Sequence, residues 1–264
     1  MIELEKIGID GKASITIIST LNPIFCFEYE KINQVTKKLA EFSHRSIPVV
    51  DKGKNLKGIV TVTDILDAYL RNEDFTQSIE KIIVRKVIVA EDTDEIRFVL
   101  QKMKISKRGR LPVVRLKKLI GIVSETDFLM KAKTFDPLSG IKMEDVMIKK
   151  PFFIKPENTI YETIRIMVNT KYRRLPIVQD SILVGYITST KLFSEVVKNN
   201  FSKDFLKREI STIMTKNPIT VVPKEDLSSA INRMKESGVS SILVSDDKKL
   251  VGIFTERDYI NLLE

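Results

Sequence analysis

The chain repeats one pattern four times, and that repetition constrains the fold before any single residue is weighed. Each copy ends in a glycine-led run: Gly58-Ile-Val-Thr-Val-Thr-Asp64, Gly121-Ile-Val-Ser-Glu-Thr-Asp127, Gly185-Tyr-Ile-Thr-Ser-Thr-Lys191 and Gly252-Ile-Phe-Thr-Glu-Arg-Asp258. The four glycines stand 63, 64 and 67 residues apart. A steady period of this size is the mark of a repeat architecture, in which each unit buries its apolar face against another. Functional residues are therefore expected at junctions between repeats.

The remainder of each repeat keeps phase with its glycine. Apolar residues at helical spacing form one stripe per repeat: Ile32, Val35, Thr36, Leu39; Ile96, Val99, Leu100, Met103; Ile160, Thr163, Ile164, Met167; and Leu227, Ala230, Ile231, Met234. Such stripes belong to amphipathic helices that must be covered. A β-branched strand follows each helix (Ile47-Pro48-Val49-Val50 in the first repeat), then the glycine strand, then a second helix. The reading is an α/β (α+β) chain of four strand–helix–strand–strand–helix repeats, bounded at 14–70, 77–133, 141–198 and 207–264. A unit of about sixty residues buries too little surface to be stable alone, so pairs should fuse their cores. A seam at Lys131–Gly140 splits the repeats two and two, and a second polar stretch at Lys198–Arg208 separates the last two.

Composition excludes some classes. No apolar run approaches the ~20 residues that span a bilayer, and the charged N-terminus Met1-Ile-Glu-Leu-Glu-Lys6 lacks a signal-peptide core. The single cysteine, Cys26, cannot form an internal disulfide, which fits a cytoplasmic protein. The sequence offers no metal-ligand cluster, no Cys–His pair and no phosphate-binding Walker loop, so no catalytic or metal site is assigned. The net charge is +9. Basic residues crowd at Lys102–Lys118 and recur at Lys149, Lys150, Lys171, Arg173 and Arg174. A nucleic-acid footprint is one reading, but no aromatics interleave as stacking platforms; a basic funnel for small polyphosphates is another.

The arginines favour the second reading. Arg45 lies three residues before Pro48, Arg110 two before Pro112, and Arg173 and Arg174 three and two before Pro176. Guanidinium forks at strand entrances suit phosphate oxygens. After each glycine strand come a hydroxyl (Thr61, Ser124, Thr188, Thr255) and, three residues later, Asp64, Asp127 or Asp258. Helix capping explains hydroxyl and carboxylate alike, but a helix N-terminus is also an anion site, and a carboxylate accepts from both hydroxyls of a ribose. Lys191 breaks the pattern in repeat three, so that site is expected to be altered or empty.

These residues resemble the CBS-domain family, in the form that carries four repeats as two tandem pairs (Bateman modules). The resemblance covers roughly Ser14 to Glu264 and rests on the opening Ser19-Thr-Leu-Asn-Pro23 and Met214-Thr-Lys-Asn-Pro218, the proline strands and the closing glycine motif. It is most similar to the gamma regulatory subunit of AMP-activated protein kinase and its archaeal relatives. The resemblance implies two paired modules in a flat disc, with clefts that bind AMP, ADP or ATP, and S-adenosylmethionine as the less favoured ligand. It assigns ribose binding to Asp64, Asp127 and Asp258, and phosphate or hydroxyl contacts to Thr61, Ser124, Thr255, Arg45, Arg110, Arg173, Arg174 and His44. Thr20, Pro23, Ile24, Thr215, Pro218 and Ile219 would line adenine pockets, with Ile148–Phe152 a looser match. The implied function is a non-catalytic nucleotide sensor acting on a regulated protein partner or as a homodimer, with fewer than four sites occupied. The alternative is a nucleic-acid or protein-interaction scaffold using the basic surface.

Overall fold

Every apolar stripe is buried. In the computed structural model, which describes residues 1–264, the first helices run Ile32–Glu41, Ile96–Ser106, Ile160–Thr170 and Leu227–Glu236, and their buried residues are the stripe positions. A short strand before the helix pairs parallel with the proline strand: Cys26–Phe27 with Ser46–Val50, Ala90–Glu91 with Arg110–Arg115, and Thr220–Val221 with Ser241–Asp246. Repeat three makes this contact through one bridge, Ile154 to Ile177 of its proline strand Arg174–Gln179. The helix is thus the crossover that parallel strands require. The proline strand then pairs antiparallel with the glycine strand (Leu56–Thr61, Lys118–Ser124, Ile182–Thr188, Lys249–Thr255). Closing helices follow at once: Val62–Leu70, Glu125–Lys131, Ser189–Lys198 and Glu256–Leu262. The α/β class and the element order are those read from the repeat.

The pairing of cores differs from the sequence reading. The chain forms two compact units, Met1–Pro23 with Ile88–Pro151 and Ile219–Glu264, and Ile24–Val87 with Phe152–Pro218. The first unit joins the helices of repeats two and four in one apolar core, and the second joins those of one and three. Repeats adjacent in sequence are linked differently, by exchanged strands. Thr20–Leu21, which opens repeat one, adds to the glycine strand of repeat two, with Leu21 opposite Gly121. Ile148–Lys149 adds to repeat four and Thr215–Lys216 to repeat three, while Val84 bridges Ile59.

At three of the four repeats the incoming segment leaves no room for a side chain on the leading glycine. A Cβ on Gly58 would stand 2.7 Å from the Val84 carbonyl oxygen, one on Gly185 2.8 Å from that of Thr215, and one on Gly252 would collide with Met147 Sδ. Glycine is required where another backbone arrives that closely. Three of the four crossings fall just after Pro23, Pro151 and Pro218. Each follows a left-handed residue, Asn22, Lys150 or Asn217, with φ of 50°, 51° and 52°. The Asn-Pro pairs in the opening segments therefore turn the chain from one unit to the next.

Candidate ligand site

Each glycine strand delivers a hydroxyl to the N-cap of its closing helix. Asp64 Oδ2 accepts from the Thr61 amide at 2.8 Å and from the Thr61 hydroxyl at 2.7 Å, while Thr61 Oγ1 accepts from the Asp64 amide at 3.2 Å. Asp127 Oδ2 accepts likewise from Ser124 (2.6 and 2.8 Å), and Asp258 Oδ2 from Thr255 (2.8 and 2.8 Å). These are capping boxes with aspartate as the returning acceptor. The box occupies Oδ2 in all three and takes nothing from Oδ1. Burial raises each carboxyl above the ordinary aspartate value against the pull of its capping bonds. A nearby cation further opposes the rise: Lys171 at Asp64, Arg110 at Asp127 and Arg257 at Asp258.

The arginines fall in two phases rather than one. Directly opposite the N-cap hydroxyls the ladders place Ser46, Arg110, Arg174 and Ser241. Arg110 therefore stands across from Ser124, and Arg174 across from Thr188. Arg45 sits one position earlier, where its carbonyl accepts from the Val62 amide at 3.0 Å, and Arg173 does the same for Ser189 at 2.9 Å. Successive positions of an extended chain send side chains to opposite faces, so Arg45 belongs with Arg173 and not with Arg110 and Arg174.

The opening segments are also not single walls. Thr20 pairs with Ile122 in the first unit, and that unit ends at Pro23, so Ile24 belongs to the second. Thr215 pairs with Tyr186 in the second unit, which ends at Pro218, and Ile219 opens a stretch of the first. Each of these segments joins two short strands that belong to different units, Thr20–Leu21 to Cys26–Phe27 and Thr215–Lys216 to Thr220–Val221.

In repeat three the cap borders a pocket. A cavity of about 260 Å³ in the second unit is lined by Ser43 and His44 from repeat one and by Thr188, Thr190, Lys191 and Ser194 from repeat three. Thr188 Oγ1 lies 3.1 Å from Thr190 Oγ1 and accepts from the Lys191 amide at 3.1 Å. Lys191 reaches along its helix to Glu195 at 3.5 Å. Here the helix N-terminus carries a cation where the other three carry a carboxylate. Ser43 and Thr190 were not expected at the site. They meet His44 and Lys191 only because repeats one and three share a core, a pairing no local motif encodes.

The CBS-domain model matches four times, over residues 15–71, 79–133, 143–198 and 209–264. This chain belongs to the CBS-domain family. Over 244 residues it is 26% identical to a 33.4 kDa protein of the ribosomal RNA operon of Thermofilum pendens, covering 83% of this chain and 80% of that one. Its fold matches a solved structure from Methanocaldococcus jannaschii, described as a candidate archaeal homolog of g-AMPK, with a TM-score of 0.85. That match has 22% identity and covers 95% of this chain and 99% of the other. A 115-residue stretch is 31% identical to inosine-5'-monophosphate dehydrogenase of Korarchaeum cryptofilum, over 43% of this chain but only 23% of the enzyme. That likeness carries no activity across.

Proposed function

We propose that this CBS-repeat protein is a non-catalytic sensor that binds AMP, ADP or ATP and passes the occupied state to a regulated protein partner. The repeat-three pocket carries the reading. A phosphate seated there meets two threonine hydroxyls, the N-terminus of a ten-residue helix, Lys191 and His44. Repeats one, two and four instead offer a carboxylate whose Oδ1 is left over by its capping box, the acceptor a ribose diol needs. Phosphate-seeking groups favour nucleotides over S-adenosylmethionine, which is cationic at sulfur. The matched repeats leave only short linkers between them, with no room for an inserted catalytic domain. Regulation follows if the ligand has unequal affinity for two conformations.

The nucleic-acid alternative is weakened by ion pairing within the basic run. Lys102 is held by Asp94 at 2.9 Å, Arg115 by Asp92 at 2.6 Å, and Lys104 donates to the Leu263 carbonyl at 2.6 Å. Charges engaged this way do not form a continuous row for a phosphate backbone.

Calorimetric titration of the nucleotide-stripped protein with AMP, ADP, ATP and S-adenosylmethionine tests the proposal. Saturable heat is expected from the phosphate-bearing ligands, and Lys191→Ala should weaken the tightest of them by about tenfold. Absence of heat with all four overturns it.

A further inference from the structure

A second cavity in the Ile24–Val87 and Phe152–Pro218 unit shares no residue with the candidate site. It has a volume of about 520 Å³ and opens where two closing helices end, at Tyr69 and Val197, opposite the ends that carry Thr61 and Thr188. Its depth is marked by an anomaly in the first helix. Thr36 is only 2% exposed and its hydroxyl has no hydrogen-bond partner. The same stripe position holds Leu100, Ile164 and Ile231 in the other repeats, all buried. The second threonine of the stripes, Thr163, satisfies its hydroxyl on the Thr159 carbonyl at 2.9 Å. Repeat one therefore replaces a large aliphatic side chain by a smaller one with an unspent hydroxyl, and a cavity lies against it. The hydroxyl itself is sealed from the cavity, so what the shorter side chain leaves open is volume that a longer aliphatic chain fills in the other repeats.

The walls specify the body of that ligand. Phe201 meets Tyr69 edge-on at 5.1 Å and Phe75 at 4.8 Å, so three rings bound the space. Tyr69 is fixed by its hydroxyl, which donates to the Ser202 carbonyl at 2.8 Å. The rim specifies charge. Lys37 and Lys203 stand at the mouth, and Lys203 rests 5.2 Å over the Tyr69 ring while bonding Asn72. The one rim carboxylate, Glu73, faces Arg71 at 3.8 Å. The mouth is therefore net cationic.

We infer that this cavity binds a small aromatic monoanion, its ring against Phe201, Phe75 and Tyr69 and its acid group at Lys37 and Lys203, in the volume that Thr36 leaves open. The volume lies within the range of small-ligand sites. The site is separate from the nucleotide pockets, so either assignment can fail alone.

The probe is 4-hydroxyphenylacetate, titrated into the full chain and followed by calorimetry and by the methyl signals of Thr36 and Val197. Saturation at one molecule per chain is expected. Phenylacetate should bind within about twofold of it, and the neutral 4-hydroxyphenylacetamide about tenfold more weakly. Thr36→Ile, which restores the residue of repeat three, should abolish binding with the melting temperature held or raised and nucleotide titrations unchanged. Thr36→Val keeps the volume and removes the hydroxyl, and it should bind 4-hydroxyphenylacetate as the wild type does. No saturation with the wild-type chain, undiminished binding by Thr36→Ile, or amide binding equal to the acid would each overturn the inference.

Discussion

Asp258 accepts both of its capping bonds on Oδ2, and any ribose it holds would use Oδ1. Asparagine in its place keeps one carbonyl acceptor for the Thr255 amide and loses the charge. Asp258→Asn is expected to change unfolding free energy by less than about 1 kcal/mol and to weaken nucleotide binding by about tenfold or more. Melting and calorimetry on the same sample separate the two, and equal losses would mark the aspartate as structural. Its pH signature has a definite sign. Burial raises Asp64, Asp127 and Asp258 above their unfolded value, so across that window the folded chain binds more protons than the unfolded one. Stability from these groups is then fully present below the ordinary aspartate value of about 3.9 and declines as pH rises through the folded values. Asp51, held at about 2 by the Asn55 side chain, and Asp226, lowered by Ser228, contribute the opposite slope. The measurable quantity is accordingly the difference between wild type and Asp258→Asn in denaturant melts above about pH 4: the variant should lose less stability as pH rises. Cys26 gives a second test. It is fully buried, and burial pushes its thiol up to about 12. Iodoacetamide should leave it unmodified in the native chain between about pH 7 and 9 and label it once guanidinium unfolds the protein; rapid native labelling detected by mass would contradict its place in the core.

At the scale of elements, the first helices share an ending that only one repeat executes with the preferred residue. The left-handed position after the helix is Ser43, Lys107, Lys171 and Gly238, with φ of 52°, 54°, 62° and 62°. Glycine adopts this conformation without steric cost. Lys107→Gly should therefore stabilise the chain by about 1 kcal/mol and raise its melting temperature by a few degrees; an unchanged or lowered melt would show that the lysine side chain contributes there. The helices themselves were legible because each stripe keeps a 3.6-residue spacing and each strand is β-branched. Their partners were not, since four similar stripes bury similar area in any pairing. Nothing in Ile96, Val99, Leu100 and Met103 says that repeat four rather than repeat one covers them. The candidate site divides in the same way. Its capping aspartates and hydroxyls are local to one motif and could be read directly. The family pattern groups Arg45 with Arg110, but its count to the proline is three and not two, and alternation along an extended chain makes that single residue decisive. The pocket of Ser43, His44, Thr190 and Lys191 depends on packing between repeats one and three, which leaves no trace in either repeat alone.

For the whole molecule, the crossing points matter more than the sequence seam. The chain passes between units after Pro23, Val87, Pro151 and Pro218, so a cut between Ser139 and Gly140 keeps every repeat intact yet divides both cores. Residues 1–139 would retain Phe128 and Leu129 without Tyr259 and Ile260, and Ile65 and Leu66 without Leu192 and Phe193. Faces of that kind do not stay exposed in water. The isolated 1–139 segment should therefore self-associate, a second copy offering the nearest substitute for the missing repeats, and its melt should fall well below that of the full chain. Adding 140–264 should displace the self-associated form and give a one-to-one complex with the helical content and nucleotide binding of the intact protein. Light scattering after size exclusion, read with circular dichroism, decides it. A monomeric 1–139 segment that melts cooperatively near the full-chain temperature would mean that repeats one and two complete a core between themselves, and the division into a two-plus-four and a one-plus-three unit would have to be abandoned.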